Sequence, residues 1–167
     1  YVYQENTQGL IRGLIFSFGI IIIVIGVTLR SVRFGLISVV PNVVPFLLAY
    51  GVLSIFTKVV TFSHTVAILI AIGLVVDATI HFLTKFKKAN SMNLSPYDAI
   101  QYCYKYVGYP IIVASVCLFS GFLFLIQSSF QTNYVLGGMC ALIILLALVI
   151  DLLLLPSLLL IFGNKSK

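Results

Sequence analysis

Four acidic residues occur in 167, and two of them, Asp77 and Asp151, fall inside long apolar runs; Glu5 and Asp98 lie outside. Asp77 stands in "GLVVDATIHFLTKFKK", with His81 one helical turn further on. On insertion scales an acid at the centre of a lipid-embedded helix costs roughly 2.5–3.5 kcal/mol, whereas each leucine returns about 0.3–0.6 kcal/mol. One such aspartate therefore offsets about half a dozen leucines, and its default reading is functional. Low-dielectric surroundings disfavour the ionised form of any carboxyl, so a sheltered acid that water can reach is suited to trading hydrogen ions. An imidazole on the same side of the helix can pass them on. Asp77 and His81 are read as a proton-relay pair.

Helical spacing places Ser63, Val66, Ile70, Gly73, Asp77, Ile80 and Thr84 on one face, with His81 at its flank. Gly73 and Thr84 complete the relay-helix face, the glycine leaving room for a helix or water to approach the carboxyl. Being partly polar, this face is expected to look into the helix bundle and away from lipid. Asp151, in "VIDLLLLPSLLL", is read as a structural intramembrane acid that reaches the interface or pairs with a basic residue there. His64 is expected to be solvated at the outer end of its span. No phosphate loop, no histidine pair on one helix face and no nucleophile–base arrangement occurs, so neither an enzyme nor a metal site is expected. No cofactor is expected either; the energy source would be a proton gradient.

The elements that must position these residues are apolar helices. Hydrophobic residues make up 61% of the chain and charged residues 8%, too little charge to cover a soluble domain of this size. The apolar residues come in blocks, which read as five spans at 9–29, 35–56, 62–86, 107–126 and 134–162. Each supplies the roughly 20 residues needed to cross about 30 Å of hydrocarbon. The expected fold is all-α integral membrane, with segment 1–8 the end of an extracytoplasmic segment and 163–167 a cytoplasmic tail. Pro41 and Pro45 predict a kink in the second span. Ser95, Pro96 and Asp98 form a helix start, predicting a short amphipathic helix over 96–106 at the cytoplasmic interface that feeds the fourth span. Ala67 and Ala71, like Gly9 and Gly13, have the small-xxx-small spacing that lets helices approach closely.

Net charge is +6, and its placement orients the chain. Arg30 and Arg33 lie between spans one and two, Lys85, Lys87, Lys88 and Lys105 flank the loop between three and four, and Lys165 and Lys167 lie at the end; Arg12 and Lys58 fall on the other side. Positive charge marks the cytoplasmic side, so five crossings put the N-terminus outside and the C-terminus inside. No soluble basic surface exists for nucleic acid. Cys103, Cys117 and Cys140 have neither metal nor redox spacing.

The segments "LRSVRFGLISVVPNVVPFLLAYGVL", "GLVVDATIHFLTKF", "GYPIIVASVCLFSGFLFLIQSSF" and "LVIDLLLLPSLL" follow one another in an order that resembles the C-terminal membrane half of transporters of the resistance–nodulation–division (RND) superfamily. The chain looks closest to the predicted-exporter and MMPL-like branch, related to Patched and sterol-sensing proteins, over about residues 9–162. The resemblance implies that the five spans correspond to the eighth to twelfth of twelve. It implies that Asp77 matches an acid coupling proton flow to export of hydrophobic or lipid-like molecules. The family often has a second Asp, or a Tyr, directly after that acid, and here the position is Ala78. Implied partners are the remaining N-terminal half or a partner subunit, membrane lipids and a hydrophobic substrate, with a homo-oligomer as a further arrangement. The implied location is the bacterial inner membrane. Two other readings fit the same fold: a non-transporting lipid- or sterol-sensing scaffold, and a Sec-type translocation accessory subunit.

Overall fold

In a computed structural model of the chain, described for residues 2–56 and 61–163, every element is helical. The helices are α1 (Val2–Leu29), α2 (Val32–Phe56), α3 (Phe62–Ser91), α4 (Pro96–Cys103), α5 (Tyr109–Leu125) and α6 (Gln131–Phe162), with a π-helical turn over Tyr104–Gly108. Helix is what these sequences must form in lipid, because no water is present to satisfy a free backbone N–H or C=O. Among the described residues four helices are long and apolar enough to cross a membrane: α2, α3, the continuous run from Pro96 to Leu125, and α6. Within α1 the apolar stretch among the described residues is Phe16–Leu29, and the helix itself begins at Val2, ahead of the expected start at Gly9. The chain is thus an all-α membrane protein. The tail over 164–167 and most of the loop after α2, residues 57–60, lie outside the described residues.

The α6 helix is the hub, packing against α2, α3 and α5, while α1 lies across α2 and α3. Two apolar clusters fill the bundle. One joins Phe46, Ala67, Ile68, Ala71, Cys140 and Ile143. The other, at the end where Arg30, Lys87 and Lys105 gather, joins Leu29, Phe82, Phe86, Ile100, Cys103 and Leu159. Small residues set the closest approaches. A Cβ added to Gly137 on α6 would lie 2.7 Å from both the Leu125 Cβ and the Phe122 carbonyl oxygen on α5. Ala67 and Ala71 are wholly buried, and the Cys140 thiol reaches the Ala67 carbonyl at 3.4 Å, as small-xxx-small spacing allows.

Three local details follow from the sequence. The α1–α2 corner is a Schellman turn: Ser31 N donates to Gly26 O at 3.0 Å and Arg30 N to Val27 O at 3.1 Å, with Arg30 left-handed at φ 45°. The Lys87 ammonium donates to the Leu29 carbonyl, satisfying one of the orphan acceptors at the end of α1. Pro41 and Pro45 sit buried within an unbroken α2, and Asn42 between them donates its side-chain amide to the Ser38 carbonyl at 2.7 Å.

The amphipathic segment has the expected start but a different end. The Ser95 hydroxyl accepts from Asp98 N at 3.2 Å and donates to Asp98 Oδ2 at 2.6 Å. Ala99, Ile100 and Cys103 are buried. The segment does not stand apart from the fourth span; it runs into α5 through the π turn. Pro110 explains the widened turn, since it brings no N–H to the ladder and its ring crowds the carbonyl four residues earlier.

Candidate functional site

Helix α3 carries polar groups on two opposite sides, and the two sides have different fates. One side holds Gly73, Asp77, His81, Thr84 and Lys88, three or four residues apart, all exposed. The Asp77 side chain is 73% and the His81 side chain 63% exposed, with His81 Nε2 3.5 Å from Asp77 Oδ1. Thr84 is turned back on its own helix, donating to the Ile80 carbonyl at 2.7 Å. A Cβ on Gly73 would meet nothing within 4 Å. The face holding Asp77 was expected to look into the bundle. It looks outward from the five helices instead, because the more apolar side of α3, from Ala67 through Ile72, Val75, Phe82 and Phe86, takes the interior.

The other side of α3 presents Thr79, two residues past Asp77 and so more than half a turn round the helix. Thr79 has no exposed surface, and the residues it meets, Asn42 on α2 and Asp151 on α6, are each 1% exposed. Its hydroxyl oxygen lies 3.0 Å from Asp151 Oδ1 and 3.3 Å from Asn42 Oδ1. The network continues along α2, where Ser38, also buried, donates to the Gly35 carbonyl at 2.6 Å. Asp151 therefore does not reach an interface or a basic residue. It is held between three helices because it lies more than two turns before the end of α6, at the level of Thr79, where only neutral polar groups are offered.

His64 also departs from expectation. It is 6% exposed, and its Nδ1 accepts from Thr61 N at 3.0 Å and contacts the Thr61 hydroxyl at 2.7 Å. The imidazole closes a capping box at the start of α3, which draws it down onto the helix and out of solvent.

The two constellations can do different things. The Asp77–His81 pair is open from outside the bundle and places an acid and an imidazole side by side, one helical turn apart. The Asn42–Thr79–Asp151 cluster is closed and ties α2, α3 and α6 together. Asn42, Thr79 and Ser38 were not singled out by sequence. The available signals were an Asn set between two prolines in "PNVVPF" and a Thr on an otherwise apolar face.

No curated protein matches the chain. A family model, described as the MMPL family, matches residues 4–167, which takes in every helix except the first two residues of α1 and includes both polar constellations. The chain belongs to the MMPL family and is a membrane module of the RND/MMPL transporter type.

Proposed function

We propose that this chain is the C-terminal membrane module of an exporter of hydrophobic or lipid-like molecules driven by the proton-motive force, with Asp77 and His81 as its proton relay. The observation that carries the reading is the Asp77–His81 pair on a polar stripe that the five helices leave uncovered. Hydrocarbon is a poor cover for that stripe, since an acid at mid-membrane costs roughly 2.5–3.5 kcal/mol. A second helical bundle is the better cover, and transporter folds commonly pair two related halves about a midplane site. The partner is then a matching half whose helix closes over Gly73, Asp77, His81 and Thr84, and protons pass along the seam between the halves.

The basic residues at the α1–α2 and α3–α4 corners support a reading with that end in the cytoplasm and the N-terminus outside, in a bacterial inner membrane. A charge crossing 100 mV supplies about 2.3 kcal/mol, enough to bias two packings of the seam. Protonation of Asp77 removes a charge from the seam and favours the closer packing.

Proton flux into proteoliposomes carrying the native assembly tests the reading. Asp77→Asn is expected to abolish substrate-coupled flux and His81→Gln to reduce it. Flux unchanged in Asp77→Asn would remove the acid from the mechanism. Lipid binding indifferent to pH and to Asp77→Asn would point to a lipid-sensing scaffold instead.

A further inference from the structure

We propose that Asp151 is a second proton-binding carboxyl of this module, holding a resident proton within the Asn42–Thr79–Asp151 cluster and exchanging it through one water seated between Asp151 and Ser115. The proposal stands on the closed cluster and does not depend on the relay reading of Asp77.

Counting hydrogens carries the first half. Asn42 Nδ2 donates to the Ser38 carbonyl at 2.7 Å, which fixes the amide and presents Oδ1 to Thr79. The Thr79 oxygen is 3.0 Å from Asp151 Oδ1 and 3.3 Å from Asn42 Oδ1. A hydroxyl carries one hydrogen and two lone pairs. With Asp151 ionised, two buried acceptors would compete for that one hydrogen, and one would be left short. A proton on Asp151 removes the conflict: the carboxyl donates to Thr79, Thr79 to Asn42, and Asn42 to the Ser38 carbonyl. All the bonds then run in one direction.

Among the described residues the surroundings offer no cation in its place. Helices α5 and α6 contain no Lys, Arg or His. On α2, Arg33 lies in the first turn, well before Asn42. On α3, Asp77 and His81 occupy the opposite, open side, and Lys85, Lys87 and Lys88 lie further along towards the basic end. On α4, Asp98 is exposed and bonded to Ser95, and Cys103 reaches the Phe82 carbonyl at 3.8 Å. From the π turn, Tyr104 gives its hydroxyl to the Leu152 carbonyl, and Lys105 is exposed beside the Tyr106 ring.

A cavity carries the second half. Between α3, α5 and α6 lies a space of about 20 Å³ bordered by Asp151, Ser115, Ala78, Leu74 and Leu148. A water needs about 10–15 Å³ and at least two polar partners, so the space takes one. Asp151 is one partner. Ser115, whose hydroxyl has no hydrogen-bond partner among the described residues, is the other. The small side chain of Ala78 leaves this space clear. On release, the carboxyl O–H bond breaks as an O–H bond to the water forms, giving carboxylate and hydronium. Thr79 then turns its hydrogen to Asp151, Asn42 Oδ1 loses its donor, and the tie of α2 to α3 and α6 is cut.

The test is infrared difference spectroscopy on the native assembly in lipid bilayers. A protonated-carboxyl stretching band is expected at neutral pH, lost in Asp151→Asn and retained in Asp77→Asn. Thr79→Val should shift the band and Thr79→Ser should leave it in place, which keeps the test alive if Asp151→Asn does not fold. On transfer to heavy water, Ser115→Ala should slow the deuterium shift of the band. Loss of ionised-carboxylate intensity in Asp151→Asn would overturn the resident proton, as would a Thr79→Val band that does not move. Deuterium exchange as fast in Ser115→Ala as in the parent would overturn the water route.

Discussion

Adjacent glycines on α6 offer a sharp test of how α5 is held. Gly137 and Gly138 differ only in direction. A Cβ on Gly138 would meet nothing within 4 Å, whereas one on Gly137 would sit 2.7 Å from the Phe122 carbonyl oxygen, 2.7 Å from the Leu125 Cβ and 3.2 Å from Ile126 N. Two of those three atoms are backbone, so no rotamer change relieves the clash, and α5 must shift as a body. Overpacking of this kind costs about 1–3 kcal/mol. Replacing glycine by alanine inside a helix returns about 0.8–1.0 kcal/mol at either site. Gly138→Ala should therefore stabilise slightly, and Gly137→Ala should be less stable than Gly138→Ala by about 1–3 kcal/mol, because the propensity gain cancels in the comparison. Only Ile111 on α5 is buried, so α5 has little else to compensate with. Thermal unfolding of the two variants in the same lipid, followed by far-ultraviolet circular dichroism, reads the difference. Equal midpoints, or a lower midpoint for Gly138→Ala, would refute the close-packed α5–α6 contact.

Other outcomes follow from single groups. Thr79→Val strips the hydroxyl that bridges two buried oxygens and should destabilise by about 1–3 kcal/mol, while Thr84→Val, exposed and bonded within its own helix, should change stability little; chemical unfolding in mild detergent compares them. Ser95→Ala removes the cap at the start of α4 and should cost about 0.5–2 kcal/mol locally, read as faster amide exchange of Tyr97, Asp98 and Ala99 with α6 unaffected. Lys87→Met frees the Leu29 carbonyl and should speed amide exchange at the α1–α2 corner, around Arg30 and Ser31, leaving the Asn42 region unchanged.

The helices were legible because apolar blocks of membrane length admit no other backbone in lipid. The start of α4 was legible because a Ser–Pro–x–Asp run has a local hydrogen-bond meaning that needs no tertiary partner. Ala67 and Ala71 announced a packed seam, and both are wholly buried. Which side of α3 faces inward was not legible. That helix is apolar nearly all round, so hydrophobicity gives little direction, and polarity at Asp77 points inward only if the five helices are all there is to hide behind. The partner of Asp151 was also out of reach: Thr79 is 72 residues away in sequence, and no local pattern announces a hydrogen bond across that span. His64 was misplaced for the opposite reason, since its bond to Thr61 is local but uses an imidazole where a Glu or Gln is customary.

The π turn at Tyr104–Gly108 has a consequence for how this chain tolerates length change. An ordinary helix advances about 100° per residue, so one inserted residue rotates everything before it by more than a quarter of a circle. The widened turn absorbs such an extra residue without breaking the rod. Taking up the extra residue there keeps Ile100 and Cys103 beneath Phe82, whereas the same five residues wound as ordinary helix would rotate that face away by about 100°. The bulge is therefore an indexing device: it lets the α4 end and the α5 end of a single rod be aimed independently.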